Sequence, residues 1–432
     1  MGLAQSPRIT TDGLVLYYDQ DNVKSFVGPP IQNLASTITA QGAVGTGISI
    51  VGGSETIDIP QIGTTNVIFN NIQNNYTSFS PNSADCCPNP FRYTGNFGGG
   101  GFAVSPSTLY TYGIVYKVNS GYTHPNYMYR YEYASNGGAY VTEAGVHSDS
   151  NRIHLGDGWY WAWGTFTTQA TTNWIAFAGA WYYRYSNTTD KLSIGKVLIT
   201  PGNYTGLHPK YWPNTNTTRS NTQAIQDLAR RNIITATNLT YATGGSFSFV
   251  RANSPTIATN LPVTSLPALS NFSLSVWLNI TALPSVANNN GVIFGATYYS
   301  GTAIYWYSNG STFTIYGYIR GNDAYRVTSS YTIPLNTVHH IVLTNNNSAG
   351  TLNLYVNGAL FSSVATATQQ YNSSLTADAG NIGVNKPQVD GGGENVYTYF
   401  TGSVYSAAIH NKALSPQEVQ QNFNALRGRY GI

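Results

Sequence analysis

Carboxyl groups that could perform acid–base chemistry are sparse in this sequence. Seventeen Asp and Glu residues occur among 432, and the glutamates, Glu55, Glu132, Glu143, Glu394 and Glu418, stand apart from one another. Glycoside hydrolases need two carboxyl groups about 5 to 10 Å apart, which alternate positions on one strand can supply. Neither Glu-x-Asp nor Glu-x-x-x-Glu occurs. We therefore expect a protein that is not an enzyme and assign no catalytic residue.

Metal chemistry has two candidate locations, a histidine pair and a glycine-rich loop. His339 and His340 are adjacent, and neighbours on a strand point to opposite faces, so they cannot easily ligate one ion together. Asp390 and Glu394 bracket the loop Asp-Gly-Gly-Gly-Glu, whose carboxylates could offer oxygen ligands to Ca2+. The alternative is a long connection between strands. Ca2+ is the one cofactor that the sequence suggests, and nothing in the sequence requires it.

Aromatic rings are far more abundant, with 34 Tyr and 8 Trp residues. Trp161 and Trp163 alternate along one predicted strand, and Trp181 follows nearby in the sequence. Such rings either fill a core or form a platform on which a sugar ring can stack, and the sequence leaves both interpretations open. Tyr299 and Tyr397 lie in predicted loops. We take these five residues as candidates for glycan binding.

The composition excludes some classes of partner. Only 9% of the residues are charged, and the net charge is +3, so we expect no basic stripe that could track phosphates and no nucleic-acid partner. No stretch approaches the roughly 20 apolar residues of a membrane span, so we expect no membrane insertion. Residues 1–13 lack a basic start followed by an apolar run, which predicts no classical secretion.

Cys86 and Cys87 are the only cysteines. Because they are adjacent, they cannot join distant segments as an extracellular disulfide framework would. Two free thiols and a vicinal disulfide are both compatible with the sequence.

The elements that must position these side chains are strands. Abundant Tyr, Thr, Val and Ile with frequent Gly and Pro predict an all-β chain, and its length predicts two domains. From Phe272, the segment FSLSVWLNI alternates as a strand with one buried face does. Asn309-Gly310 and Asn357-Gly358 predict hairpins. The segment NYMYRYEY places Tyr127 to Tyr133 at alternate positions on one face.

A short helix is predicted near the end of the chain. Ser415 as N-cap, Pro416 at the first helical position and Glu418 three residues after the cap form a capping box. We expect Gly428 to end the helix as a C-cap. The apolar stripe that docks the helix consists of Val419, Phe423 and Leu426.

The C-terminal half resembles concanavalin A-like, laminin-G-like domains. Four segments carry the resemblance in order: FSLSVWLN, then VHHIVLTNNNSAGTLNLYVNGALFSS, then NIGVN, then FTGSVYSAAIHNKALSPQEVQQNF. The last twelve residues, QNFNALRGRYGI, resemble the ends of such domains in structural proteins of tailed bacteriophages. The resemblance implies a β-sandwich that displays or binds a ligand and catalyses nothing.

The opening strand of that sandwich resembles residues 9–26, whereas its continuation resembles residues 219–250. Three parts follow from this: 1–26 as opening strand, 27–215 as an insertion, and 216–432 as the concanavalin A-like sandwich. Residues 157–168, DGWYWAWGTFTT, resemble jelly-roll carbohydrate-binding modules that phages insert at this position. The expected fold is therefore all-β, with two β-sandwich (jelly-roll) domains and a short C-terminal helix.

The expected function is that of a non-catalytic virion structural protein of a tailed bacteriophage. It would be a capsid or neck decoration or a fibre head, made in the host cytoplasm and exposed on the particle. Expected partners are other capsid, neck or tail proteins, cell-surface glycans, and further copies of the chain in a homo-oligomer. The alternatives are a bacterial lectin or adhesin that binds carbohydrate and, third, a glycan hydrolase. Heptads and collagen triplets do not occur, so a fibre shaft is excluded.

Overall fold

The computed structural model describes most of the chain. The described residues are 8–22, 24–34, 38–39, 48–50, 55–61, 63–67, 69–74, 91–93, 102–120, 129–135, 138–145, 151–179, 191–214, 217–229, 232–241, 247–253, 255–262, 271–284, 289–295, 302–320, 325–365, 378–379, 381–383 and 399–432.

The chain divides into two compact units, one of which interrupts the other. Met1–Pro29 and Ser220–Ile432 form the first unit, and Pro30–Arg219 forms the second. The sequence predicts an insertion of residues 27–215. The two chain segments of the interrupted unit that flank the insertion lie together, because the Val27 amide donates to the Ala224 carbonyl at 3.0 Å.

Strands dominate both units. The strands up to the end of the second unit are β1 (Leu14–Asp19), β2 (Gln32–Asn33), β3 (Ile38–Thr39), β4 (Ile48–Ile50), β5 (Glu55–Ile59), β6 (Gly63–Val67), β7 (Phe69–Asn74), β8 (Phe91–Tyr93), β9 (Phe102–Ala103), β10 (Leu109–Ser120), β11 (Tyr129–Tyr133), β12 (Tyr140–Gly145), β13 (Arg152–Gly156), β14 (Trp159–Thr167), β15 (Trp174–Gly179), β16 (Lys191–Pro201) and β17 (Thr217–Thr218).

The remaining strands belong to the first unit. They are β18 (Ile234–Thr237), β19 (Thr240–Tyr241), β20 (Phe247–Ser248), β21 (Thr256–Thr259), β22 (Leu261–Pro262), β23 (Phe272–Ala282), β24 (Asn289–Gly295), β25 (Thr302–Ser308), β26 (Phe313–Arg320), β27 (Tyr325–Val327), β28 (Tyr331–Thr332), β29 (Val338–Asn346), β30 (Thr351–Val356), β31 (Ala359–Ala365), β32 (Asp378–Ala379), β33 (Asn381–Ile382) and β34 (Thr401–His410).

Helices are short. The chain forms α1 (Pro416–Leu426) and the 3-10 helices Pro209–Tyr211, Arg251–Asn253 and Arg427–Arg429. Among the described residues, no helix has the length and the apolar character that crossing a membrane requires. The prediction of an all-β chain with one short C-terminal helix is confirmed.

Two large sheets build the interrupted unit. One has the order β1-β34-β23-β29-β30-β31, and the other has the order β18-β21-β33-β24-β25-β26-β27, with β28 beside β26. Their inner faces pack closely, because a Cβ on Gly317 of β26 would collide with Leu343 of β29. The hairpin predicted at Asn357-Gly358 joins β30 to β31, and both residues have the positive φ that this turn requires.

The first strand of the chain pairs with the last. β1 is antiparallel to β34, with Leu16 opposite Ile409 and Asp19 opposite Ser406. Leu16 and Tyr18 are fully buried, so β1 contributes core side chains as well as hydrogen bonds. An ion pair reinforces the pairing, since the Arg429 guanidinium lies 2.6 Å from the Asp19 carboxylate.

The prediction that only one face of β23 is buried is wrong. Nearly all of its residues are buried on both faces, because α1 covers the outer face. Trp277 stacks on Phe423 of α1 with ring centroids 5.7 Å apart and an interplanar angle of 2°. On its own sheet, Trp277 also stacks on His340 at 4.6 Å.

The beginning of α1 follows the predicted capping box, but its end does not follow the prediction. The Ser415 hydroxyl accepts from the Glu418 amide, and the Glu418 carboxylate accepts from the Ser415 amide at 2.9 Å. Gly428 is not a C-cap in the left-handed region. The chain instead tightens after Leu426 into the 3-10 helix Arg427–Arg429, which brings Arg429 to Asp19.

Two larger sheets also dominate the described part of the inserted unit, beside the two-stranded sheets β2-β17 and β5-β6. One has the order β13-β14-β10-β16-β7-β4, and the other has the order β12-β11-β15-β8-β3, with β9 beside β15. The central strands β10, β14 and β16 are long and pair over most of their length. β14 lies within residues 157–168, the segment that resembles carbohydrate-binding modules. The prediction of β-sandwich architecture is confirmed.

We predict that β1 is required for stability of the interrupted unit. A chain that begins at Ser220 loses buried Leu16 and Tyr18 as well as the Asp19–Arg429 ion pair. Because burial of one large apolar side chain contributes roughly 2 kcal/mol, its thermal midpoint should fall well below that of a chain lacking only Pro30–Arg219. Equal midpoints in differential scanning calorimetry would contradict this.

We also predict that acid destabilises the interrupted unit. Burial lowers the pKa of His340 to about 3 and that of His339 to about 4, and burial also lowers the pKa of His410. A histidine in the unfolded chain has a pKa of about 6.5, so below that pH the unfolded chain binds more protons than the folded chain. The stability that the neutral histidines contribute is therefore fully present above the unfolded pKa. As the pH decreases below that value, His340 alone lowers the free energy of unfolding by up to about 1.4 kcal/mol per pH unit.

Urea unfolding across the pH range below neutrality measures this loss. His340→Gln should flatten the dependence, because glutamine does not titrate. A free energy of unfolding that stays constant between about pH 7 and about pH 5 would contradict the burial of neutral His340. Over that interval, His340 alone should lower the free energy of unfolding by roughly 2 kcal/mol.

Candidate functional site

The tryptophans predicted as glycan contacts lie on β14 and are largely covered. Trp161 is 3% exposed and packs against Trp163 at 4.2 Å between ring centroids. His208 and Trp212 also contact it, at 5.3 Å and 6.5 Å. Trp212 can approach because the residue beneath it, Gly113 of β10, has no side chain: a Cβ there would lie 2.5 Å from the indole. Trp161 is therefore a packing residue, and only Trp163 keeps partial exposure.

His208, whose ring contacts Trp161, is neutral near pH 7. Burial, followed by the nearby charges of Lys210 and Lys196, lowers the pKa of His208 to about 4. Burial, followed by the charge of Arg219, also lowers the pKa of Lys196 to about 8. The Lys196 ammonium donates to the Pro209 carbonyl at 3.2 Å, which fixes the 3-10 helix above the tryptophans.

The other predicted site residues lie outside the described residues. They are Trp181, Tyr299, Tyr397, Asp390 and Glu394, and the cysteines Cys86 and Cys87 also lie outside the described residues. Within the described ranges, no group of three His, Cys, Asp or Glu side chains is arranged to hold a metal. The proposed calcium loop therefore stays a prediction.

A different set of rings reaches the surface on the second sheet of the inserted unit. Glu132 of β11 and its cross-strand neighbour Ile175 of β15 are completely buried, so this face of the sheet is interior. Tyr133 and Trp174 are the next cross-strand pair and are half-buried. Tyr140 of β12 is 54% exposed and meets Tyr133 edge-on at 6.1 Å. We call Tyr133, Tyr140 and Trp174 the tyrosine–tryptophan face.

A buried carboxylate fixes the loop beside this face. The Glu132 carboxylate accepts hydrogen bonds from the Gln169 amide at 2.9 Å and from the Thr172 hydroxyl at 2.5 Å. Asn173 then donates from its side chain to the Ala134 carbonyl at 3.1 Å. Because these two hydrogen bonds join residues that lie 37 and 40 positions apart in the sequence, they tie the loop to β11. It presents the exposed amide side chains of Gln169 and Asn173 next to the rings.

This arrangement suits the recognition of an uncharged polar ligand. Aromatic rings offer apolar area with few side-chain torsions to immobilise, and side-chain amides both donate and accept hydrogen bonds. A sugar presents one apolar C–H face and a rim of hydroxyl groups. The tyrosine–tryptophan face and its neighbouring loop match both features.

One pair in the interrupted unit has the spacing of a nucleophile and its base. The Ser275 hydroxyl and the His340 Nε2 lie 2.9 Å apart, a separation typical of activated serines. His340 is completely buried, and its ring packs against the rings of both Trp277 and Phe423. Ser275 is buried as well, so the pair lies within the packing layer between α1 and the sheet.

Sequence reasoning missed the tyrosine–tryptophan face as a site. The alternating tyrosines of NYMYRYEY were a usable signal for Tyr133. Trp174 lies about 40 positions further on, and its pairing with Tyr133 depends on the register of two strands that are distant in the sequence. Burial of Glu132 identifies which face of that sheet is outside.

One family model matches part of the interrupted unit. The model of the concanavalin A-like lectin/glucanases superfamily, Laminin_G_3, matches residues 251–420. This part of the interrupted unit is thus a concanavalin A-like domain, and the match covers less than half of the chain. Among curated proteins, none matches the sequence.

Solved structures that match part of this chain include toxin domains and a sialidase. The botulinum neurotoxin serotype C1 binding domain has a TM-score of 0.38 at 16% identity over 48% of this chain and 51% of that one. The botulinum neurotoxin DC binding domain in complex with rat synaptotagmin II has a TM-score of 0.37 at 14% identity, over 48% and 50%. A Trypanosoma rangeli sialidase has a TM-score of 0.34 at 16% identity, over 46% and 30%. The chain spans about half the length of the toxin domains.

Proposed function

We propose that the chain is a non-catalytic glycan-binding protein and that a sugar stacks on the tyrosine–tryptophan face. The observation that carries this proposal is the exposed Tyr140 beside Tyr133 and Trp174, on a sheet whose opposite face is buried. The low overall charge supports the proposal as well. Neutral amides and hydroxyls supply much of the polarity of the chain, and these groups also form hydrogen bonds with sugars. The concanavalin A-like match to a lectin-containing superfamily is consistent with this class of ligand.

The non-catalytic part of the proposal rests on where the carboxylates are used. Glu132 holds the loop beside the rings and is completely buried. Glu418 caps α1, and Asp19 pairs with Arg429. Each of these three carboxylates is committed to structure and is therefore not free to act as the acid or base of a glycoside hydrolase.

The proposed setting is the surface of a tailed bacteriophage particle, as a capsid or neck decoration or a fibre head that meets host or environmental glycans. Support comes from the sequence resemblance of both ends of the interrupted unit to phage sandwiches, together with the inserted second sandwich. A bacterial lectin or adhesin would use the same face for the same ligand. The two settings differ in where the protein is found.

We predict that Trp174→Ala and Tyr140→Ala each weaken binding to neutral polysaccharides by roughly tenfold, since loss of one stacking ring removes about 1.4 kcal/mol. Affinity electrophoresis of the full chain in gels containing soluble polysaccharides measures the retardation. Ile153→Ala is the matched control, because Ile153 is exposed to a similar extent (45%) on the other sheet. Retardation that is unchanged in both ring variants would sink the assignment.

The virion setting makes a separate prediction. Mass spectrometry of particles purified through a density gradient should detect peptides of this chain at many copies per particle. Detection only in the cell fraction, with none in washed particles, would exclude the virion role and favour the lectin or adhesin.

A further inference from the structure

A second group of rings lies in the interrupted unit, at an edge where its two sheets meet. Phe361 of β31 is 43% exposed, and Tyr331 of β28 is half-buried. Their rings meet edge-on with centroids 5.2 Å apart. We call them the edge ring pair. One ring belongs to each sheet, so the pair spans the opening of the sandwich at this side.

Backbone geometry turns Phe361 outward. The register between β30 and β31 shifts between Leu354 opposite Ser362 and Tyr355 opposite Leu360, which leaves Phe361 as the extra residue of a bulge. A bulge re-aims a side chain and is often found next to functional sites. The ring is therefore placed by the strand itself.

The edge ring pair is held in place from both sheets. The Tyr331 hydroxyl lies 3.4 Å from the His339 Nε2, and the two rings are 5.8 Å apart. The Ser329 amide donates to the Ser362 hydroxyl at 3.0 Å, which ties the segment before β28 to β31. The rings thus have a fixed relative position before any ligand arrives, which lowers the entropy cost of binding.

The stretch of chain that contains both rings carries no acidic or basic residue other than histidine. Between Arg326 and Asp378 the sequence contains no Asp, Glu, Lys or Arg. His339 does not introduce charge near neutral pH, because burial lowers its pKa to about 4. Exposed hydroxyl groups border the rings in sequence: those of Ser329, Ser330, Thr332 and Ser363.

We propose that the edge ring pair is a second carbohydrate site, specific for a neutral saccharide, in the concanavalin A-like unit. The inference rests on the proposed function for its ligand class and extends it to a different part of the chain. The absence of Asp, Glu, Lys and Arg between residues 326 and 378 favours an uncharged ligand, since a charged one would lose its hydration without gaining an ion pair from this stretch. Hydroxyl groups beside two rings favour a sugar over an apolar peptide.

Two sites on one chain change how it binds a polymer. When a polysaccharide occupies one site, the second binding event becomes intramolecular and takes place at a high effective concentration. Retention on a polymer should therefore exceed the affinity of either site for a short oligosaccharide. This gives the pair of sites a function that neither has alone.

Affinity electrophoresis of the full chain tests the proposal, with dextran and galactomannan as neutral probes and alginate as the anionic probe. Phe361→Ala should reduce retardation by a neutral probe roughly tenfold, and combining it with Trp174→Ala should abolish the retardation. Leu360→Ala is the matched control, because Leu360 is the preceding residue on β31 and is more exposed, at 55%. Retardation should be unchanged between about 0.05 M and about 0.5 M NaCl, because no ion pair is involved.

Several outcomes would overturn the second site. Equal effects of Phe361→Ala and Leu360→Ala would do so, as would stronger, salt-sensitive retardation by alginate. Self-association in size-exclusion chromatography that Phe361→Ala removes would assign the rings to a protein contact instead. If Trp174→Ala alone abolishes all retardation, the second site fails and the proposed function stands. If only Phe361→Ala has an effect, the tyrosine–tryptophan face fails and the second site stands.

Discussion

Pairing between the first and the last strand of the chain is the constraint on which the architecture depends. β1 lies against β34, so residues near 16 and 409 must meet although a complete second unit lies between them in sequence. The pairing is secured by buried Leu16 and Tyr18 and by the ion pair of Asp19 with Arg429. The 3-10 helix after α1 supplies that arginine. An insertion is tolerated because both of its connections leave from one place, at Val27 and Ala224.

Aromatic rings differ in what covers them, and this decides whether a ring belongs to a core or reaches the surface. Trp161 and Trp277 are enclosed, the first by Trp212 and the second by Phe423, and they stabilise the sheets. Tyr140 is open to solvent because β12 is the last strand of its sheet in the described part of the chain. The same residue types therefore serve packing at the centre of a sheet and, in the proposed function, ligand contact at its margin, with burial deciding between the two.

Local features of the fold could be predicted from the sequence because they depend on neighbouring residues. The capping box at Ser415 and the turn at Asn357 are of this kind, and both are confirmed. The burial of Trp161 could not be predicted, because it depends on a glycine on another strand and on a segment about 50 residues away. The full burial of β23 was missed for the same reason, since α1 follows it by more than 130 residues.

Hydrogen–deuterium exchange of the full chain, with and without a soluble neutral polysaccharide, tests ring-based glycan binding most directly. The account predicts slower exchange in two places, at β11, β12 and β15 with the loop 169–173, and at residues 327–332 and 359–365. It predicts little change at β14, where Trp161 is already covered. Unchanged exchange at both places, or protection confined to segments without exposed rings, would contradict the account.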